Sequence, residues 1–213
     1  AEVLSKASKP MIVIGQGALT RTDGAGVLAT AAKLAVNVGA IAEGWNGFAV
    51  LHTAASRVGG LDLGFVPGAK GVNAAEMLKT MDVLFLLGAD EFDVSAKAAK
   101  FTVYIGSHGD NGAHGADVIL PGAAYTEKSG LYVNTEGRAQ MASRAAFPPG
   151  EAREDWAILR ALSEVMGKRL PYDSLAALRQ AVFKVAPHLM RIDQIAPGKA
   201  DDVKALAGKG GSV

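Results

Sequence analysis

Three short apolar runs, each closed by a glycine, most limit what this chain can fold into. They are Met11-Ile12-Val13-Ile14 before Gly15, Val83-Leu84-Phe85-Leu86-Leu87 before Gly88, and Phe101-Thr102-Val103-Tyr104-Ile105 before Gly106. None alternates apolar with charged residues, so each reads as a strand covered on both faces, as in a parallel sheet. Residues 24–38 carry a helical pattern with Val27, Leu28, Ala31, Leu34 and Ala35 on one face, and Asp23 stands where a cap is needed. Asn73-Ala74-Ala75-Glu76 has the spacing of another helix start, which predicts a helix over 74–80. Residues 117–120 add a fourth, short strand. Glycine-ended strands joined by helical stretches give an α/β fold with a doubly wound, mostly parallel sheet.

The rest of the chain is less regular. Residues 39–71 are glycine-rich, hold the anchors Trp45 and Phe48, and read as a long excursion with one short helix near 51–57. Beyond Pro148-Pro149-Gly150 the pattern turns helical. Trp156, Leu159, Leu162, Ser163 and Met166 share a face over 155–166, and a second helix spans Leu175–Val185 with Asp173 or Ser174 as its cap. The expected organisation is an α/β domain over 9–150, a helical extension packed on it over 151–196, and a flexible tail over 197–213.

Composition narrows the function. The net charge is +1 and the basic residues are scattered, which gives no electrostatic case for nucleic acid. No cysteine is present, so disulfides, thiolate zinc sites, cysteine-held iron–sulfur clusters and a cysteine nucleophile are excluded within these 213 residues. No window offers the run of ~20 apolar residues that a membrane helix needs, so no direct membrane insertion is expected. Residues 1–10 lack the apolar core of a signal peptide.

Several clusters could carry chemistry. Gly15-x-Gly17 after a strand can cradle a phosphate at a helix start, but Thr20 replaces the third glycine of the full fingerprint and Asp23 brings a competing charge. A tight structural turn is the simpler reading. Gly88-Ala89-Asp90 lies at the carboxyl end of a strand, where open α/β sheets bind ligands. Asp90, Glu91 and Asp93 together would repel a pyrophosphate, which favours a solvated acidic loop. His108, Asp110 and His114 are possible metal ligands on a flexible glycine loop, without the helical spacing of common zinc enzymes. No metal is expected there.

The remaining feature is one long block. It runs Ala116-Asp117-Val118-Ile119-Leu120-Pro121-Gly122-Ala123-Ala124-Tyr125-Thr126-Glu127-Lys128-Ser129-Gly130, and continues after Leu131 as Tyr132-Val133-Asn134-Thr135-Glu136-Gly137-Arg138-Ala139-Gln140. Physically it is a strand stopped by Pro-Gly, a polar turn, and an extended segment ending in a charged bend. Glu127, Glu136 and Arg138 could form acid–base pairs. Arg138 more simply staples the bend by bonding Glu136. Nothing else completes a catalytic set, and no catalytic residue is assigned.

This block resembles the closing signature of the molybdopterin oxidoreductase superfamily and, within it, the G (75 kDa) subunit family of respiratory complex I, the NADH:quinone oxidoreductase. Further landmarks follow in order: Leu61-Asp62-Leu63-Gly64, Leu84 through Asp90, Ser107-His108-Gly109-Asp110 in place of a Gly-His-His-Gly-Asp stretch, Pro148-Pro149-Gly150, and Ala152-Arg153-Glu154-Asp155-Trp156. The resemblance implies a Rossmann-like, molybdopterin-oxidoreductase-like domain from the C-terminal part of a longer subunit. It implies a structural motif in Glu127, Asn134, Glu136, Gly137 and Arg138, with a vestigial cofactor wall at Glu136-Gly137-Arg138 as the alternative, and vestigial cofactor-binding positions at Gly15, Gly17 and Asp90. Cofactor-bearing relatives are similar at the Gly88-Ala89-Asp90 strand end but have Gly-x-Asn there, which looks like a guanosine-nucleotide contact. It also implies a parent complex with FMN and iron–sulfur clusters and no cofactor in this chain. The implied partners are other peripheral-arm subunits and an iron–sulfur N-terminal region. The implied place is the cytoplasmic face of the bacterial inner membrane or the mitochondrial matrix side. An active molybdopterin-type oxidoreductase domain and a stand-alone nucleotide-binding module are the alternatives.

Overall fold

A computed structural model describes residues 2–54, 57–79, 81–91, 99–109, 111–195 and 199–209. Asp93, Asp110 and both ends of the expected tail lie outside them. The elements run α1 (Glu2–Lys6), β1 (Ile12–Gly15), α2 (Gln16–Leu19), α3 (Gly24–Asn37), β2 (Ile41–Ala42), β3 (Trp45–Asn46), β4 (Phe48–Leu51), α4 (Arg57–Asp62), α5 (Ala74–Met77), β5 (Met81–Leu87), β6 (Ala99–Gly106), α6 (Asn111–His114), β7 (Val118–Pro121), β8 (Gly130–Val133), β9 (Ala139–Ala142), α7 (Asp155–Val165), α8 (Leu175–Val185), a 3-10 turn (Pro187–Met190) and α9 (Ala200–Gly208). The class is α/β with parallel sheets, as the glycine-ended runs predict. The chain falls into two compact units, and each draws on segments from both sides of residue 150.

The first unit comprises Ala1–Asp62, Tyr132–Gln140 and His188–Val213. Its sheet pairs β1 with β4 in parallel, Ile12 opposite Phe48 and Gly15 opposite Leu51. β4 lies inside the stretch read from sequence as an excursion, and the short helix expected near 51–57 starts instead at Arg57. Trp45 explains why this stretch is ordered. Its indole N–H donates to the Pro10 carbonyl at 2.9 Å, and the Gly47 carbonyl accepts from Ile12 N–H at 2.7 Å, which seats the strand beside β1.

Helix α3 begins where expected, but Asp23 makes no side-chain cap. Its carboxylate is drawn instead to the Arg21 guanidinium, at 2.7 and 2.9 Å, and that partner lowers its pKa. The buried face is also different. Ala29, Ala32 and Ala35 are inside and Leu34 is exposed, because small residues at i, i+3 and i+6 let neighbours approach the helix backbone. One such neighbour is α9, which occupies residues expected as a tail. Ala200, Val203, Leu206 and Ala207 give it a partly buried stripe.

The second unit comprises Leu63–Leu131 and Met141–Pro187. Its three-stranded sheet has the order β5-β6-β7, all parallel. Central β6 is buried on both faces through Thr102, Val103, Tyr104 and Ile105. β5 departs from the sequence reading: Leu84 and Leu86 are buried while Val83, Phe85 and Leu87 are exposed. Its side chains alternate between a packed face and an open one, so it packs one face only. Leu84, Leu86, Ala99, Tyr104 and Ala113 form the core. α5 starts at the predicted cap, Asn73, whose side chain accepts from Glu76 N–H at 3.0 Å, and Ser174 caps α8 in the same way through Ala177 N–H at 3.1 Å. The face expected on the helix after Pro149-Gly150 is partly wrong, since Met166 is exposed and Arg160 is buried.

Tyr104 is 3% exposed, and its ring leaves no room for a side chain at two glycines. A Cβ on Gly112 would stand 2.8 Å from the ring, and one on Gly106 closer still. Gly112→Ala is therefore expected to destabilise the protein by about 1–3 kcal/mol in urea unfolding, the usual range for overpacking. Gly17→Ala, in α2 with open space around it, should be neutral or stabilise by up to ~1 kcal/mol.

Candidate functional site

The carboxyl ends of parallel strands are where an α/β protein places its ligand chemistry. At the end of β1, Gly15 is extended (φ −83°, ψ 152°) and a Cβ there would touch nothing, so neither conformation nor space requires glycine. Gly17 is in α2 and equally open. The polar group here is one that the sequence reading missed: the Gln16 amide bonds His52 Nδ1 at 3.1 Å, joining the ends of β1 and β4. His52 escaped notice because its strand did.

At the end of β5, Asp90 is half-buried and engaged. Its Oδ1 accepts from Gly112 N–H at the start of α6, while Glu91 Oε2 accepts from Asp90 N–H at 3.3 Å. The loop expected to be solvated is thus anchored to a helix start. The His108 carbonyl accepts from the Tyr104 hydroxyl at 2.9 Å, and its ring Nδ1 pairs with Ser107 Oγ at 2.9 Å. Among the described residues no three His, Asp or Glu side chains converge as metal ligands.

The block residues divide between the units. Glu127 closes a turn in the second unit, its carboxylate accepting from Ala124 N–H at 2.9 Å. Asn134, Glu136, Gly137 and Arg138 come together in the loop joining β8 to β9, in the first unit. Asn134 Oδ1 accepts from both Glu136 N–H and Arg138 N–H, each at 3.0 Å. Gly137 has φ +80°, a conformation open to glycine at little cost. Arg138 reaches Glu136 at 3.3 Å and donates to the Asp193 carbonyl at 2.6 Å, and Asp193 N–H returns a bond to the Ala139 carbonyl at 2.8 Å. Asn134 and Arg138 thus spend their polar groups mainly on backbone, and Glu136 pairs with their side chains.

A second ionic cluster was not legible in the sequence. Arg160 on α7, only 8% exposed, bonds Asp173 at 2.6 and 2.9 Å and Glu164 at 2.9 Å, and Arg169 also reaches Asp173 at 2.6 Å. Arg169 and Arg160 hold the Asp173 carboxyl below its ordinary pKa. α7 itself is fixed by a parallel bridge between Gly122 and Arg153, and by an ion pair between Lys128 and Asp155.

Residues 1–165 match the molybdopterin oxidoreductase family. The chain belongs to that family. It is 44% identical over 97% of its length to the NADH-ubiquinone oxidoreductase 75 kDa subunit of Reclinomonas americana. It is 46% identical to the mitochondrial NADH-ubiquinone oxidoreductase 78 kDa subunits of Neurospora crassa and Candida albicans, over 91% and 92% of its length. It spans only 26–30% of these relatives' lengths.

The family name implies a pterin cofactor, and its diphosphate-bearing forms need free backbone N–H groups at a strand end. Here Gly112 N–H is already bonded to Asp90, Glu91 adds a second carboxylate, and the Gly15 backbone forms no cradle that needs glycine. The ends of β1 and β5 therefore do not fit that group.

Two outcomes are expected of substitutions in these clusters. Asn134→Ala removes the acceptor of two N–H groups and should cost about 1–3 kcal/mol in urea unfolding, with faster amide exchange at Glu136 and Arg138. Asp173 has a depressed folded pKa, so its contribution to stability is present above the unfolded aspartate value and lost as pH falls through the depressed one. Urea midpoints should therefore fall on acidification below about pH 4, and Asp173→Asn should lower stability at pH 7 and reduce that fall.

Proposed function

We propose that this chain is part of the 75 kDa-type subunit of an NADH:quinone oxidoreductase, and that it supports the enzyme as scaffold. The observation that carries this reading is the identity of 44–46%, over at least 91% of the chain, to three subunits named for that enzyme. The geometry supports a structural role. Gln16, Asp90, Glu127, Asn134 and Arg138, the residues best placed for chemistry, each bond another part of this chain.

In this reading, electrons pass from NADH through FMN and iron–sulfur clusters held elsewhere in the complex. Gly15, Gly17 and Asp90 mark former cofactor-binding positions, and Glu127, Asn134, Glu136, Gly137 and Arg138 a structural motif. The partners are other peripheral-arm subunits and the iron–sulfur-bearing region of the same subunit. The place is the matrix side of the mitochondrial inner membrane or the cytoplasmic side of a bacterial one. Among the described residues no helix is long and apolar enough to cross a membrane.

The test is to tag the polypeptide that contains this chain, purify it on native gels, and assay the band for NADH oxidation and for molybdenum, tungsten and pterin. Migration with NADH-oxidising activity, without stoichiometric molybdenum, tungsten or pterin beyond the other subunits, is the expected result. Stoichiometric molybdenum and pterin bound to this polypeptide would overturn the scaffold reading in favour of an active molybdopterin enzyme.

A further inference from the structure

The second unit carries two aromatic side chains that its own packing leaves exposed, on a hydrogen-bonded stretch of backbone. Tyr125 is 75% exposed and Phe147 80% exposed. They flank one backbone crossing, because the Thr126 carbonyl accepts from Ala145 N–H at 2.9 Å and from Ala146 N–H at 3.2 Å. Arg144 N–H donates to Ser129 Oγ at 3.1 Å, and the Arg144 guanidinium lies 4.3 Å over the Phe147 ring. The strap is thus fixed at three successive N–H groups while its aromatic side chains face water.

Two aromatics and a stacked arginine are residue types that dominate protein interfaces, and the prior ordering of the backbone that carries them lowers the cost of association. Charge says what the opposite surface must carry. Lys128 is paired with Asp155 and Arg153 with Glu151, whereas Arg144 has no carboxylate partner among the described residues. The complement is an apolar patch rimmed by a carboxylate. Length says where that patch resides. The relatives continue for more than twice the span matched here, and a covalently tethered surface binds at high effective concentration.

We infer that Tyr125, Arg144 and Phe147 form the docking surface for another region of the same, longer polypeptide, through an apolar patch with a carboxylate facing Arg144. This rests on the subunit reading above. The test uses the assembled enzyme. Hydroxyl-radical oxidation of Tyr125 and Phe147 is compared between the isolated chain and the purified NADH-oxidising assembly. In parallel, Arg144→Lys supplies an amine that a carbodiimide couples to any carboxylate in contact.

The expected result is oxidation of both rings slowed about tenfold in the assembly, as for residues at the core of an interface. The cross-link should map to an Asp or Glu elsewhere in the same polypeptide. Tyr125→Ser with Phe147→Ser should leave the isolated chain's melting temperature unchanged and lower that of the longer polypeptide. Undiminished oxidation within the assembly, or a cross-link to another subunit or a second copy, overturns the docking surface and leaves the subunit reading standing. Absence of the polypeptide from the assembly overturns both.

Discussion

Tyr104 is the side chain on which the second unit depends. It stands at the centre of the middle strand, its ring fills space that Gly106 and Gly112 leave empty, and its hydroxyl satisfies the His108 carbonyl. Gly112 can therefore approach closely enough for its N–H to meet Asp90, which ties the end of β5 to α6. One aromatic ring thereby sets the spacing of two strand ends and a helix. The same packing shapes the chemistry: one oxygen of the strand-end carboxylate is committed to the Gly112 N–H, and that N–H is no longer free for an anion.

The two unit cores use different means. The second unit relies on large side chains and hydrogen-bonded strands, extended past β7 by the Gly122–Arg153 bridge that sets the start of α7. The first relies on an alanine stripe along α3 and on polar clasps. Asn134 holds its own loop, and Arg138 joins that loop to Asp193. The two glutamates of the family block are both bonded locally, Glu127 to Ala124 N–H and Glu136 to the Arg138 guanidinium.

What the sequence revealed follows from how local each signal is. The apolar strands, the Asn73 and Ser174 caps and the start of α3 depend on neighbours within a few residues, and the structure has them in place. β4 was hidden because Phe-Ala-Val-Leu sits among glycines and becomes a strand only by lying against β1. β9, Ala-Gln-Met-Ala, has weak strand preference and is formed by pairing with β8. Arg160 is charged and so reads as surface, and its partner Asp173 lies beyond its own helix. Asp90 read as solvated because Gly112 is far away in sequence. For β4, Arg160 and Asp90 the missing information was a contact more than ten residues away in sequence; for β9 it was the pairing itself.

The first unit is assembled from three pieces of chain, the last of them beginning at His188. α3 forms from residues near the start and rests against α9 near the end, while the Arg138–Asp193 clasp spans 55 positions. On a ribosome, which delivers chain from the N-terminus, the middle segments can settle first. The alanine face of α3 must then wait, incompletely covered, for the final helix to emerge. Of the two units, it is therefore the one holding the more N-terminal of these segments that completes its packing last.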